Sequence, residues 1–205
     1  MNTNTLIEAG TTESGVKWET HQDWDYDEKD MRSNFYIIGT RGTSRHISVD
    51  EICDNMDEFD AALKAESIVY SQPLYMLAHS GVSVSLGAFN DPWDSGQCGF
   101  ACITRKIADE WALNPEEYET FLRAEVESFD AYLRGEVFAF NIYTENKCKE
   151  CGCSSTETLD GCGGYVYPGG YGKFFEEVVE PAIAECEQQL AEAEHQAEKG
   201  VKSDD

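Results

Sequence analysis

The chain has 205 residues, enough for one domain with a full core and at most a small appendage. Forty Asp and Glu face 15 Lys and Arg, a formal net charge of -25 at pH 7, which disfavours direct binding to nucleic acid or to an anionic membrane. Hydrophobic residues at 41% and aromatics at 12% exclude a wholly disordered chain.

Residues 1–33 read as an acidic, loosely ordered arm in which Trp18, Trp24 and Tyr26 can pack locally. A single α+β domain is expected over 34–190. Asn34 to Thr40 is a predicted strand, closed by the glycine-containing Thr40-Arg-Gly-Thr-Ser44. Ser48-Val-Asp-Glu51 reads as a capping box that starts a helix to about Glu66, with Ile52, Met56, Phe59 and Leu63 on its inner face. Pro73 to Leu86 alternates as a β-hairpin turning at Ser80-Gly81. The Asp91-Pro-Trp-Asp-Ser-Gly loop follows, with Trp93 expected to plug the core, and then a strand from Cys98 to Thr104.

A helix is predicted from about Arg105 to Trp111. Asn114-Pro-Glu-Glu117 starts another, with Tyr118, Phe121, Leu122, Phe129, Tyr132 and Leu133 inward and Gly135 ending it. Val137 to Tyr143 is rich in β formers. A cysteine-rich excursion spans 148–162. A last helix carries Phe174, Phe175, Val178, Val179, Ile183, Cys186 and Leu190, kinked or restarted at Pro181, and 191–205 form a frayed tail. Short strands not regularly separated by helices predict an α+β fold, a mostly antiparallel sheet with three or four packed helices.

The charge admits three readings. One is a hydrated, solubilising surface or adaptation to salt. Another is mimicry of nucleic acid, with carboxylates at phosphate-like spacing occupying the basic groove of a nucleic-acid-binding protein. The third is cation binding, although no Asp-x-Asp-x-Asp-Gly calcium loop is present. The mimicry reading places partner-binding residues on two helix exteriors. The first has Asp50, Glu51, Asp54, Asp57, Glu58 and Asp60; the second has Glu116, Glu119, Glu125, Glu127 and Asp130.

Cys148-Lys-Glu-Cys151-Gly-Cys153, with Cys162 downstream, is the metal candidate. A Cys-x-x-Cys-Gly turn aims two thiolates at one ion, and Cys153 and Cys162 could complete tetrahedral structural zinc. Free thiols are the competing reading. Cys53, Cys98, Cys102 and Cys186 fall at apolar positions and read as core thiols. A catalytic alternative joins His79 as base, Asp94 as its orienting carboxylate and Ser95 or Cys98 as nucleophile, though Ser95 lacks a Gly-x-Ser-x-Gly elbow. No charged leader precedes an apolar run and no long apolar stretch occurs, so a cytoplasmic location without membrane insertion is expected.

Leu74 to Phe100, with its His-Ser-Gly turn and Pro-Trp-Asp-Ser-Gly-Gln-Cys-Gly loop, resembles a family of proteins encoded by bacterial phages and related mobile elements. Phe129-Asp-Ala-Tyr-Leu-Arg-Gly-Glu-Val-Phe138 and Leu159-Asp-Gly-Cys-Gly-Gly-Tyr165 are similar to that family's following segments. The resemblance covers 74–170 and carries no catalytic role. It implies an accessory protein of a virus or mobile element in the host cytoplasm. Joined to the charge, it leads to an expectation: a non-enzymatic inhibitor of a basic host nucleic-acid-binding or defence protein, of the anti-restriction or anti-CRISPR kind. A zinc-stabilised interaction module and an enzyme built on the His79–Cys98 loop are the alternatives.

Overall fold

The computed structural model describes residues 4–23, 28–32, 34–65, 67–148 and 150–201. Its elements in chain order are β1 (Thr5–Thr11), β2 (Lys17–Gln22), α1 (Glu28–Met31), β3 (Tyr36–Gly39), β4 (Glu51–Ile52), α2 (Met56–Ala65), β5 (Ile68–Ala78), β6 (Val82–Ser85) and β7 (Ser95–Thr104). There follow α3 (Arg105–Glu110), α4 (Tyr118–Leu133), β8 (Val137–Lys147), β9 (Ser154–Val166), α5 (Gly170–Phe174), a π turn (Phe175–Val179) and α6 (Glu180–Val201). The class is α+β, with two mostly antiparallel sheets. The chain divides into two units, Tyr26–Gly135 and a second built from Met1–Asp25 with Glu136–Asp205, rather than the one domain and arm expected.

In the Tyr26–Gly135 unit the sheet order is β4-β3-β7-β5-β6. Side chains of a strand alternate between faces. Ile37, Ala101 and Ile103 therefore join Leu122, Val126 and Phe129 of α4 in one core. Their neighbours Ile38 and Cys102 join Phe59 and Ala62 of α2 in another. Helices thus cover both faces. β7 runs so close to β3 at Gly99 that a Cβ there would lie 2.1 Å from the Ile38 carbonyl oxygen, so only glycine fits. Pro73 sits on the part of β5 that β6 does not cover, where a missing N–H costs little.

The helix expected from Ser48 starts later. Glu51 and Ile52 are drawn into β4, parallel to β3, with Glu51 opposite Ile38. The working cap is Asn55: its Oδ1 accepts the Glu58 N–H at 3.0 Å, while Glu58 reaches back to the Asp54 N–H at 2.6 Å. Asp50 is a clamp and not part of a helix exterior. Its carboxylate accepts the Ile37 N–H at 2.7 Å and pairs with the buried Arg32 guanidinium, and its own N–H donates to the Ile37 carbonyl at 2.9 Å. The Asn114 start of α4 is as expected, with the Asn114 N–H donating to Glu117 at 2.8 Å after a short 3-10 turn. Trp93 is 90% exposed and plugs nothing, because the Asp91 carboxylate holds the loop by accepting the N–H groups of Trp93 and Asp94.

In the other unit the order is β1-β2-β8-β9. The expected arm is instead a hairpin. β2 pairs along β8, with Thr20 opposite Phe140, and Thr20 is fully buried with its hydroxyl 2.9 Å from that of Tyr171. Trp24 and Tyr26 lie outside the described residues. Phe138, Phe140 and Ile142 alternate onto the face covered by Phe174, Val179, Ile183 and Cys186. Phe174 is the centre, with ring centroids 5.1 Å from Phe138 and 5.6 Å from Tyr165. The π turn ends two residues before Pro181, which has no N–H to continue an α ladder. α6 then runs to Val201, past the point where fraying was expected.

Asp50→Ala should lower stability by about 3 kcal/mol, because it leaves the Arg32 charge buried without its carboxylate. Asp50→Asn, which keeps an acceptor for Ile37, should cost less. Denaturant unfolding of both variants checks this.

Candidate functional site

The thiol turn joins β8 to β9. Lys147 pairs with Ser154, so Cys148 and Cys153 face each other at the end of the ladder, and the Cys148 N–H donates to the Cys153 carbonyl at 2.8 Å. The Gly152 N–H closes the turn onto the Cys148 carbonyl at 2.9 Å, which requires the left-handed backbone that Gly152 adopts, φ +71°. The three Sγ atoms of Cys148, Cys151 and Cys153 lie within 4.8 Å of one another, and all three residues are exposed. Three nearby thiols in this arrangement could hold a metal ion.

The expected fourth ligand is elsewhere. Cys162 lies well along β9, opposite Phe140, with its sulfur 3.6 Å from the Gly163 carbonyl. The pairing of β9 with β8 carries it away from the turn. The N–H groups of Cys151 and Glu150 point at the Cys148 sulfur and bring its pKa down to about 7. Cys153 is raised, chiefly by its hydrogen bond to Cys151, whose sulfur is 2.6 Å away. The buried Cys98 and Cys102 are pushed up to about 11 and about 12 by desolvation, so they stay protonated. Cys53 and Cys186 are buried as well.

His79 and Asp94 do meet. The imidazole Nδ1 is 2.6 Å from the Asp94 carboxylate, at the end of the β5–β6 hairpin. The rest of the expected triad is not assembled. Ser95 donates its hydroxyl to the Asp91 carbonyl, and the Cys98 thiol is buried against the Leu74 carbonyl at 3.4 Å. The groove beside His79, about 380 Å³, is lined by Leu77, Ser80 to Ser83, Leu133 and Arg134. A carboxylate-oriented imidazole could move a proton there.

The acidic exteriors are partly committed to internal bonds. Asp130 accepts the Val84 N–H at 2.9 Å and pairs with Arg134 at 3.0 Å. Asp54 pairs with Arg41 at 2.7 Å and Glu119 with Arg123 at 3.1 Å. Glu125 is half-buried beside Asn34, and burial raises its pKa. Asp50 and Glu58 are clamp and cap. Asp57, Asp60, Glu116 and Glu127 remain on exposed positions, with Glu51 half-buried in β4.

The reading from sequence missed a cleft of about 1070 Å³ lined by Arg32, Tyr36, Asp50, Thr104, Arg105, Lys106 and Glu110 among others. The adjacent pair Arg105-Lys106, rare cations in so acidic a chain, was the available signal. Asp50 and Glu110 offset much of that charge, and Lys106 lies 3.7 Å from Glu110. No helix among the described residues is long and apolar enough to cross a membrane. No protein-family model, curated protein or solved structure matches the chain.

Alkylation should reach Cys148 first among the exposed cysteines at neutral pH, with a rate that rises through a midpoint near 7. Cys98 and Cys102 should react only after unfolding. Mass spectrometry across a pH series reads both, and a Cys148 midpoint in the ordinary thiol range would show that the two amides do not stabilise its thiolate. His79→Ala should shift the thermal midpoint by no more than about 2 °C, since both partners of the pair are largely exposed.

Proposed function

We propose that this protein is a non-enzymatic docking protein: an accessory protein of a phage or mobile element that occupies the basic surface of a host nucleic-acid-binding or defence protein. The observation that supports this most is the shortage of internal cations. With 40 acidic residues and 15 basic ones, even complete pairing leaves most carboxylates without a cation of their own chain. Self-repulsion among them is relieved when a positive surface closes over the exposed positions Asp57, Asp60, Glu116 and Glu127. Carboxylates and backbone phosphates are both hydrated anions, so a basic groove can accept either. Salt screens such an interface and weakens it.

The test is capture of basic DNA-binding proteins from a bacterial lysate on the immobilised protein. Captured protein should be released by added duplex DNA and by raised salt. Neutralising Asp57, Asp60, Glu116 and Glu127 together to Asn or Gln should weaken capture by at least about tenfold while the thermal midpoint holds. Capture indifferent to both DNA and salt overturns the proposal.

A second reading, a zinc-stabilised interaction module, is supported by the convergence of Cys148, Cys151 and Cys153. In it these three thiolates would hold the ion. Zinc would supply a fixed cross-link at the end of the β8–β9 hairpin.

A further inference from the structure

The thiol turn differs from a closed structural zinc site in two ways. Among the described residues its ligands number three, because Cys162 is held on β9 opposite Phe140 and no fourth His, Cys, Asp or Glu joins the convergence. It also stands exposed at a hairpin end, away from the core around Phe174. The turn has its own backbone closure, Cys148 N–H to the Cys153 carbonyl and Gly152 N–H to the Cys148 carbonyl. Among the described residues it is the one place where three or more His, Cys, Asp or Glu ligand atoms gather at metal-binding separations.

Resting on the zinc reading above, we infer that Cys148, Cys151 and Cys153 form an exchangeable three-thiolate site for a thiophilic divalent ion such as Zn2+, with the fourth position open to water or a small external thiolate. The distances suit it. Tetrahedral zinc with Zn–S bonds of about 2.3 Å sets its sulfurs about 3.8 Å apart. The three sulfurs already fall within 4.8 Å, and Cys151 and Cys153, 2.6 Å apart, separate by about 1 Å on binding. Each thiol gives its proton to solvent as it binds, so a dication and three thiolates leave a site of net charge -1. The N–H groups of Glu150 and Cys151 that face the Cys148 sulfur remain to support the bound thiolate. The open position of an ion bound here can be taken by a ligand from outside the chain.

Cobalt(II) reports the arrangement, because its visible bands depend on the number and kind of ligands. The full chain, reduced and metal-free, is titrated with Co2+ alone. One equivalent should bind with thiolate charge-transfer absorption, and Zn2+ should displace it. Cys162→Ser should leave stoichiometry and bands unchanged, whereas Cys148→Ser and Cys151→Ser should each lose them, with circular dichroism confirming that the variants fold. Added 2-mercaptoethanol should shift the visible bands as it enters the fourth position. No bound cobalt or zinc overturns both this inference and the zinc reading. Bands that need Cys162, or that do not respond to added thiol, overturn the open site and leave structural zinc standing.

Discussion

A shortage of cations governs how this protein satisfies its carboxylates. Beside its ion pairs, the chain holds several acidic side chains through backbone N–H groups. Asp50 takes that of Ile37, Glu58 that of Asp54, Asp91 those of Trp93 and Asp94, Asp130 that of Val84, and Asp23 that of Gly164. Val84 and Gly164 lie on the edge strands β6 and β9, Ile37 beside the start of β4, Trp93 and Asp94 in a turn and Asp54 just ahead of α2, all places where the regular ladder leaves donors over. A carboxylate is a strong acceptor for such a donor and needs no cation beside it. For Asp91 and Glu117 the bonds lower the pKa. Their contribution to stability is therefore complete above the ordinary carboxylate range and is lost as the pH falls through the lowered values.

This divides the acidic residues into two populations. One is architectural: it closes loops, starts helices and, at Asp50, neutralises the buried Arg32. The other lies on exposed positions in or next to α2 and α4 and along the described part of α6. The functional proposal rests on the second population alone. Composition cannot separate the two, because both contribute equally to a net charge.

The thiol turn follows a different logic. Its geometry is set by a two-stranded ladder that brings Cys148 and Cys153 face to face, and by a glycine that lets the chain double back between Cys151 and Cys153. The same ladder removes Cys162. Antiparallel pairing fixes which residues stand opposite each other, and one strand cannot bend two distant positions onto one ion while keeping its register.

Local pattern determined much of this fold. Alternation gave the β5–β6 hairpin, the strand at β7 and the strand at β8; the Asn114-Pro-Glu-Glu117 start and Gly135 stop gave α4; and apolar spacing marked the cysteines of the core. These signals are short-range, so they are written in consecutive residues. Tertiary pairing decided what the residues alone left open. It drew Glu51 and Ile52 into β4 and moved the helix start to Asn55. It turned a polar N-terminal stretch into β1 and β2 through partners on β8 more than a hundred positions away. It left Trp93 in solvent and separated Cys162 from the other thiols. For β4 and for β1 and β2 the deciding hydrogen bonds come from distant segments, and their energy appears only once those segments lie side by side.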